Sequence, residues 1–215
     1  MMRVAGVDDA GRGCAIGPLI IAGVLLDESR IDELRIMGVR DSKRLSPRRR
    51  EELAPEIEHI ASRHVFFELA PPAIDRVVKR NKKLRKLNYL EAMAMAKVIR
   101  DLQPDRAYVD PSDVLPERYA KQILRVLPEK PEIVCEHRAD SKYLVVSAAS
   151  ILAKVRRDRI VAELRMEHGD FGSGYPHDDK TISFLEAWFR DRDWCPPFIR
   201  CSWATVERIR RLRGV

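Results

Sequence analysis

An apolar run, Val4-Ala5-Gly6-Val7, ends in two adjacent aspartates, Asp8 and Asp9, which lead straight into Ala10-Gly11-Arg12-Gly13. The run reads as a short buried strand. Such a strand does not end in side-by-side carboxylates without compensation, because an isolated buried anion is very costly. Protonation or bound cations relieve like charges held this close. The chain carries a formal net charge of +7, which favours an acidic partner. The cation reading therefore points to divalent metal and a phosphate-bearing substrate.

With 215 residues, 45% of them hydrophobic and 34% charged, the chain has the make-up of a globular protein that buries a real core. Its most apolar stretch, Cys14 to Leu26, is interrupted by Gly17-Pro18 and Gly23 and has no basic lead-in. It reads as a buried strand rather than a targeting or membrane segment. No membrane contact is expected, and the expected setting is the cytoplasm. The four cysteines show no C-x-x-C spacing and the five histidines form no ligand motif. Free thiols are expected, and a zinc site is not.

Val4–Asp9 and Ile16–Leu26 read as consecutive strands joined by the turn Gly11-Arg12-Gly13. Ser46-Pro47 gives an N-cap with proline at the first helical position, predicting a helix to about Ser62. His64–Leu69 is a third strand, Pro71-Pro72 opens a short helix, and Leu87–Leu102 is a longer amphipathic one whose Met93 and Met95 fit a core better than a groove. Arg106–Val109 is a strand stopped by Asp110-Pro111, Pro116 starts another helix, and Pro131–Cys135 is a fifth strand. A long helix is predicted from Ser141 to about His168. The loop Gly169–Gly174 precedes a helix near Asp179–Phe189 and a last, basic helix carrying Arg208, Arg210, Arg211 and Arg213, which Trp203 and its neighbours would anchor. Strands cluster early and helices late. The expected architecture is α/β: a mixed sheet with helices on both faces, one domain over residues 1–215, of which about 179–215 is a helical extension.

Further aspartates recur at comparable places. Asp110 ends one strand, and Asp140 follows another and precedes the long helix. Carboxylates on separate strands of one sheet can converge, and such an oxygen set suits Mg²⁺ or Mn²⁺. Each residue also has an ordinary reading: Asp110 before proline as a turn, Asp140 as a helix cap, Asp41 in Asp41-Ser42-Lys43 as loop. Taken together, they favour the metal site.

These residues sit in a longer pattern: Gly6-Val7-Asp8-Asp9-Ala10-Gly11-Arg12-Gly13 with Gly17-Pro18, Asp41-Ser42-Lys43, Tyr108-Val109-Asp110, Ala139-Asp140-Ser141-Lys142-Tyr143, Ala148-Ala149-Ser150-Ile151-Leu152-Ala153-Lys154-Val155 and Gly172-Ser173-Gly174-Tyr175-Pro176. In order and over nearly the whole chain, it resembles ribonuclease HII, its archaeal branch above all. The resemblance implies an RNase H-like fold with a five-stranded sheet. It also implies a metal-dependent endonuclease that hydrolyses the RNA strand of RNA–DNA hybrids and nicks duplex DNA 5′ of embedded ribonucleotides, leaving 3′-hydroxyl and 5′-phosphate ends. By position Asp8, Asp9, Asp110 and Asp140 would be the catalytic metal ligands for two Mg²⁺ or Mn²⁺ ions. Gly11, Arg12 and Gly13 would sense the ribose 2′-hydroxyl, and Tyr175 would stack on the next deoxyribose. Lys43 would contact substrate through its motif. Asp9 departs from the family, which usually has Glu there, and Cys14 stands where proline is common.

The chemistry is consistent with this. Two cations flanking a phosphodiester activate water and stabilise the leaving oxygen, so no side-chain nucleophile is needed. Glycines bring backbone close to a sugar, and the 2′-hydroxyl separates RNA from DNA. Ser150 reads as a helix residue that packs or touches phosphate. Lys154 and the basic last helix could hold phosphates too, but a charge run on a helix is usually a solvated face, so only Lys43 is singled out, through its motif. Rival readings are another RNase H-like nuclease, such as a junction resolvase, and a non-catalytic nucleic-acid-binding module. Relatives can carry a sliding-clamp peptide at the carboxyl terminus, but Arg210–Val215 has no aromatic pair. A monomer is expected.

Overall fold

The computed structural model describes residues 1–79 and 86–212. Arg213, expected on the last helix, lies outside the described residues. Strands β1 (Arg3–Ala10), β2 (Leu19–Asp27), β3 (Arg63–Leu69), β4 (Arg106–Val109) and β5 (Glu132–Cys135) form one sheet in the order β3-β2-β1-β4-β5. Helices α1 (Ile31–Ile36), α2 (Pro47–Ile60), α3 (Pro71–Val78), α4 (Lys86–Leu102), α5 (Pro116–Val126), α6 (Ala139–Lys142), α7 (Leu144–His168), α8 (Asp179–Trp188) and α9 (Ala204–Leu212) complete the described chain.

The sheet is mixed. β1 pairs antiparallel with β2, and parallel with β4, which pairs parallel with β5. Parallel neighbours need crossover connections, and α5 supplies the one between β4 and β5. Two glycines show that helices cover both faces. A Cβ at Gly6 would run into the backbone of Val145 on α7, and one at Gly23 would run into Val98 and Leu102 on α4. Val7 lies opposite Gly23 in the ladder and shares its face, so Gly6 and Asp8 face α7 while Val7 and Asp9 face α4.

The predicted capping of α2 is present: Pro47 opens it and the Ser46 hydroxyl accepts the Arg49 N–H at 3.2 Å. Three expectations are corrected. β2 starts at Leu19, not Ile16, because Gly17 turns the backbone at φ +95° and Ile16 instead forms an isolated bridge with Ile199. The long helix is broken at Tyr143, which is extended (φ −118°, ψ 117°); its ring packs 4.3 Å from that of Tyr108 and its hydroxyl donates to Glu136. The thiols are not all free: Cys195 and Cys201 form a disulfide, while Cys14 and Cys135 are unpaired. The reversal through Pro196, whose carbonyl accepts the Ile199 N–H, brings the two Cα atoms to 6.3 Å, within disulfide reach.

The described chain gathers into two compact units. One is built from Met1–Ala10, Ile20–Phe67 and Asn88–Arg156; the other holds the described parts of Gly11–Leu19, Glu68–Leu87 and Arg157–Val215. The first contains most of the sheet. The second has a core of its own around Ile16, Phe171, Leu185, Phe189, Phe198 and Val206, against which Trp203 packs as expected. No described helix is long and apolar enough to cross a membrane.

Candidate active site

In the first unit, β1 delivers Asp8 to the face covered by α7, where it is 8% exposed. Burial there pushes its carboxyl from the ordinary 3.8 up to about 6, against the opposing pull of the Lys154 ammonium, a hydrogen bond from the Ser150 hydroxyl and the Asp9 N–H; the nearby Asp110 anion adds to the rise. Asp110 directly follows β4. Its carboxyl is raised by burial and by Asp140, and it accepts the N–H groups of Arg138 and Asp140. Asp110 thus caps α6, the element that carries Asp140. Asp140 is not at a strand end, as expected, but in the first turn of this short helix, 2% exposed.

Asp41-Ser42-Lys43 reaches the same place. The Asp41 carboxylate accepts the Lys43 N–H at 2.9 Å, and Lys43 Nζ donates to Asp140 Oδ2 at 3.0 Å, which raises the Lys43 pKa. The Ser42 and Ser150 hydroxyls lie 2.9 Å apart, and Lys154 Nζ donates to Ser150 at 2.9 Å. The Ser150–Lys154 pair, one helical turn apart on α7, was legible as a motif but not as the support of Asp8. Only the burial of Asp8 reveals that role.

Asp8, Asp110, Asp140 and Lys43 are therefore brought together. Asp9 is placed differently. The regular register through Asp9–Ile21 sends its side chain to the opposite face of the sheet from Asp8, where it is partly exposed. Adjacency in sequence separates these two carboxylates rather than joining them.

Asp8, Asp110 and Asp140 offer hard oxygen donors, and the carboxyls of Asp8 and Asp110 are raised by burial first and by neighbouring like charge second, which the lysines offset only in part. That is the environment a divalent cation such as Mg²⁺ or Mn²⁺ relieves. A tighter set exists among the described residues, Asp75 with Cys195 and Cys201, whose ligand atoms lie within 4.8 Å of one another. Its sulfurs are already joined to each other, and its carboxylate accepts from Cys201 and Ser202, so it does not fit a metal.

The second unit holds the other candidates. Gly11 has φ +85°, a conformation that favours glycine, and a Cβ there would clash with the Pro18 carbonyl. The Gly174 carbonyl accepts the N–H groups of Ala15 and Ile16 at 2.8 and 3.1 Å. This ties the turn that follows β1 to the loop carrying Tyr175, and a Cβ on Gly13 would lie 3.9 Å from the Tyr175 ring. Gly11, Arg12, Gly13 and Tyr175 thus form one surface. Two arginines absent from the sequence expectations support it. Arg157, 6% exposed, donates to the Ser173 carbonyl at 2.6 Å and lies 4.7 Å from the Tyr175 ring centroid. Arg200, fully buried, donates to carbonyls of the glycine turn. For Arg200 the available signal is a cation set inside the apolar run Phe198-Ile199-Arg200-Cys201.

Comparison with known proteins gives a consistent picture. The sequence matches the family described as Ribonuclease HII over residues 5–206. It is 43% identical over 210 residues to ribonuclease HII of Thermococcus sibiricus, covering 97% of this chain and 91% of that protein. Among solved structures it resembles ribonuclease H2 from Pyrococcus horikoshii, at 40% identity and a TM-score of 0.91 over 99% of both chains. It also resembles a chain of the PCNA:RNase HII complex from Archaeoglobus fulgidus, at 41% identity and a TM-score of 0.85 over 96% of both.

Proposed function

The chain belongs to the ribonuclease HII family, and on that premise we propose that it nicks duplex DNA on the 5′ side of embedded ribonucleotides as well as cutting the RNA strand of RNA–DNA hybrids, leaving 3′-hydroxyl and 5′-phosphate ends. The observation that carries this reading is the grouping of the buried Asp8 and Asp140 with the half-buried Asp110 beside Lys43. A protein that only binds nucleic acid has no use for buried carboxylates of raised pKa.

Asp8, Asp110 and Asp140 would hold two divalent ions, and Asp9, whose side chain leaves β1 on the other face of the sheet, would join them only around the end of the strand. When bound, such ions supply Lewis-acid polarisation of the phosphodiester and a more acidic water. The protein's own part is positional. Ser150 and Lys154 hold Asp8, Asp110 fixes α6 and with it Asp140, and Lys43 steadies Asp140 while offering a cation to phosphate. The Gly11-Arg12-Gly13 turn, covalently continuous with β1, would recognise the 2′-hydroxyl, and Tyr175 would stack at the ribose–deoxyribose junction. On its likeness to the Archaeoglobus chain, a sliding clamp is a proposed further partner, and the enzyme is taken to act as a monomer.

The test is a duplex with a single ribonucleotide, titrated with Mg²⁺ and Mn²⁺. Cleavage at the 5′ side of the ribonucleotide that depends on the metal and on the 2′-hydroxyl is expected. An intact duplex, or equal cutting of all-DNA duplex, would refute the reading.

A further inference from the structure

Every carbonyl of the Gly11-Arg12-Gly13 turn accepts a hydrogen bond from a turn some 190 residues away at 200–203, and the Gly11 carbonyl also accepts the Cys14 N–H and thiol. Arg200 Nη2 donates to the Gly11 carbonyl at 2.7 Å, Nη1 to the Arg12 carbonyl at 2.8 Å and Nε to the Gly17 carbonyl at 3.1 Å. Trp203 Nε1 donates to the Gly13 carbonyl at 3.4 Å, and its ring centroid lies 4.9 Å from the guanidinium carbon of Arg200. We propose that Arg200 and Trp203 are positioning residues that fix the conformation of the Gly11-Arg12-Gly13 turn and so set the enzyme's preference for ribose. This inference rests on the proposed reading of that turn as the 2′-hydroxyl sensor.

The burial of Arg200 sets the requirement. Its side chain is 0% exposed, and it meets three main-chain oxygens and a ring rather than a carboxylate. Placing a cation there is unfavourable unless all its donors are used, and a loop this short can be closed by ordinary turn bonds. What the guanidinium adds is shape. Its donors leave a rigid plane at fixed angles, so three carbonyls bound to one plane are held in a fixed mutual orientation. A lysine ammonium is a point charge and imposes no such relation.

Fixing the carbonyls also fixes the donors. A peptide unit is planar and its N–H points opposite to its C=O. Orienting the Gly11 carbonyl therefore orients the Arg12 N–H, and orienting the Arg12 carbonyl orients the Gly13 N–H. Gly13 is exposed, and the clamp determines which way these N–H groups face a ligand.

The clamp is itself anchored. Asp75 on α3 accepts the Cys201 N–H at 2.8 Å, the Ser202 N–H at 3.0 Å and the Ser202 hydroxyl at 2.6 Å. The Arg200 N–H donates to the Ala15 carbonyl at 2.9 Å, and the Trp203 N–H to the Arg200 carbonyl at 3.1 Å. The disulfide ties Cys201 to Cys195.

The experiment compares full-length wild type, Arg200→Lys and Trp203→Leu on duplexes bearing either one ribonucleotide or its 2′-fluoro analogue. Fold is checked by circular dichroism and thermal melting, and rates are read below the melting range. For Arg200→Lys the ribose-over-fluoro preference is expected to contract by about tenfold or more, with the loss in kcat and KM nearly unchanged, because misplaced groups cost the transition state rather than overall duplex binding. Trp203→Leu is expected to give a smaller contraction in the same direction. A merely structural role would lower melting temperature and active fraction while leaving the preference unchanged. A folded Arg200→Lys enzyme with the wild-type preference overturns the inference. If that variant does not fold, the half-buried Trp203 site decides: an unchanged preference in Trp203→Leu overturns it and a contraction supports it. A wild type that cuts both duplexes equally would instead refute the reading of the turn as a ribose sensor, whatever the variants do.

Discussion

Two of the places where the molecule buries charge treat it in opposite ways. In the first unit, Asp8 on β1, Asp110 just after β4 and Asp140 on α6 come together, and the nearby lysines leave Asp8 with a carboxyl raised by burial to about 6. In the second, the buried Arg200 has each nitrogen committed to a carbonyl and a ring alongside. The acidic cluster has electrostatic demand left over, which a ligand can meet. The basic one, although burial lowers its pKa, has each nitrogen bonded to the main chain and holds a shape. On the proposed reading, reactivity belongs to the first and selectivity to the second, and substitutions should separate them.

The largest effect is expected at Asp8. Asp8→Asn should reduce metal-dependent cleavage by more than about a hundredfold, beyond what loss of a supporting residue around a metal costs. The same change should stabilise the protein in EDTA at neutral pH. The carboxyl titrates near 6 in the fold and near 3.8 when unfolded, so between these values the native state holds the proton that the unfolded chain releases. Stability is therefore full below about pH 4 and falls as pH rises through 6. At about 1.4 kcal/mol per pH unit the penalty is on the order of 3 kcal/mol. Melting curves of wild type and Asp8→Asn should converge at pH 4 and diverge above pH 6. Parallel curves, or residual turnover, would place the chemistry elsewhere.

Tyr175→Ala tests the second region. Stacking contributes about 1–3 kcal/mol per base in single-strand binders, so about a tenfold loss on single-ribonucleotide duplexes is expected, with a smaller loss on uniform RNA–DNA hybrids. Equal losses on both substrates would remove Tyr175 from junction recognition. Because the buried Arg157 lies against the Tyr175 ring, loss of that contact should also lower the melting temperature, so rates are compared below the melting range.

Much of the first region was legible in the sequence. Apolar runs gave the strands, Ser46-Pro47 gave the start of α2, and Asp8 and Asp110 stood out as carboxylates at the ends of apolar segments. Asp140 was legible as a residue but not as a position, since the break at Tyr143 depends on packing against Tyr108 across the fold. The second region was legible only in its outer residues, Gly11 to Gly13 and Tyr175. Its supports, Arg157 and Arg200, act through main-chain carbonyls, which leave no mark in residue type. Likewise the spacing of Cys195 and Cys201 matches no redox motif, and only the chain reversal at Pro196 pairs them.

A smaller effect is expected at Asp9, the position where the family resemblance leads to an expectation of glutamate. Its side chain leaves the sheet on the face opposite to Asp8 and is partly exposed, so a longer carboxylate can be accommodated. Asp9→Glu should keep activity within about threefold, a fraction of a kcal/mol of barrier, and its readable effect is a change in the ratio of Mg²⁺- to Mn²⁺-supported rates. Complete loss would show that the surrounding geometry has adapted to the shorter side chain and would draw Asp9 into the first region on equal terms with Asp8.

The smallest effect on catalysis is expected from Cys195→Ser. The disulfide closes a loop of sequence separation 6, for which chain-entropy reasoning gives about 2 kcal/mol of stabilisation, or roughly 4–8 °C in Tm for a chain of this size. Turnover and ribose preference should nevertheless stay within about twofold, because Asp75 still accepts the N–H groups of Cys201 and Ser202 and keeps Arg200 in place. Melting and the two-substrate assay on the same preparation measure both quantities. A collapse of ribose preference at constant fold would make the disulfide, rather than Asp75, the anchor of Arg200, and would make selectivity sensitive to thiols while the carboxylate cluster is not.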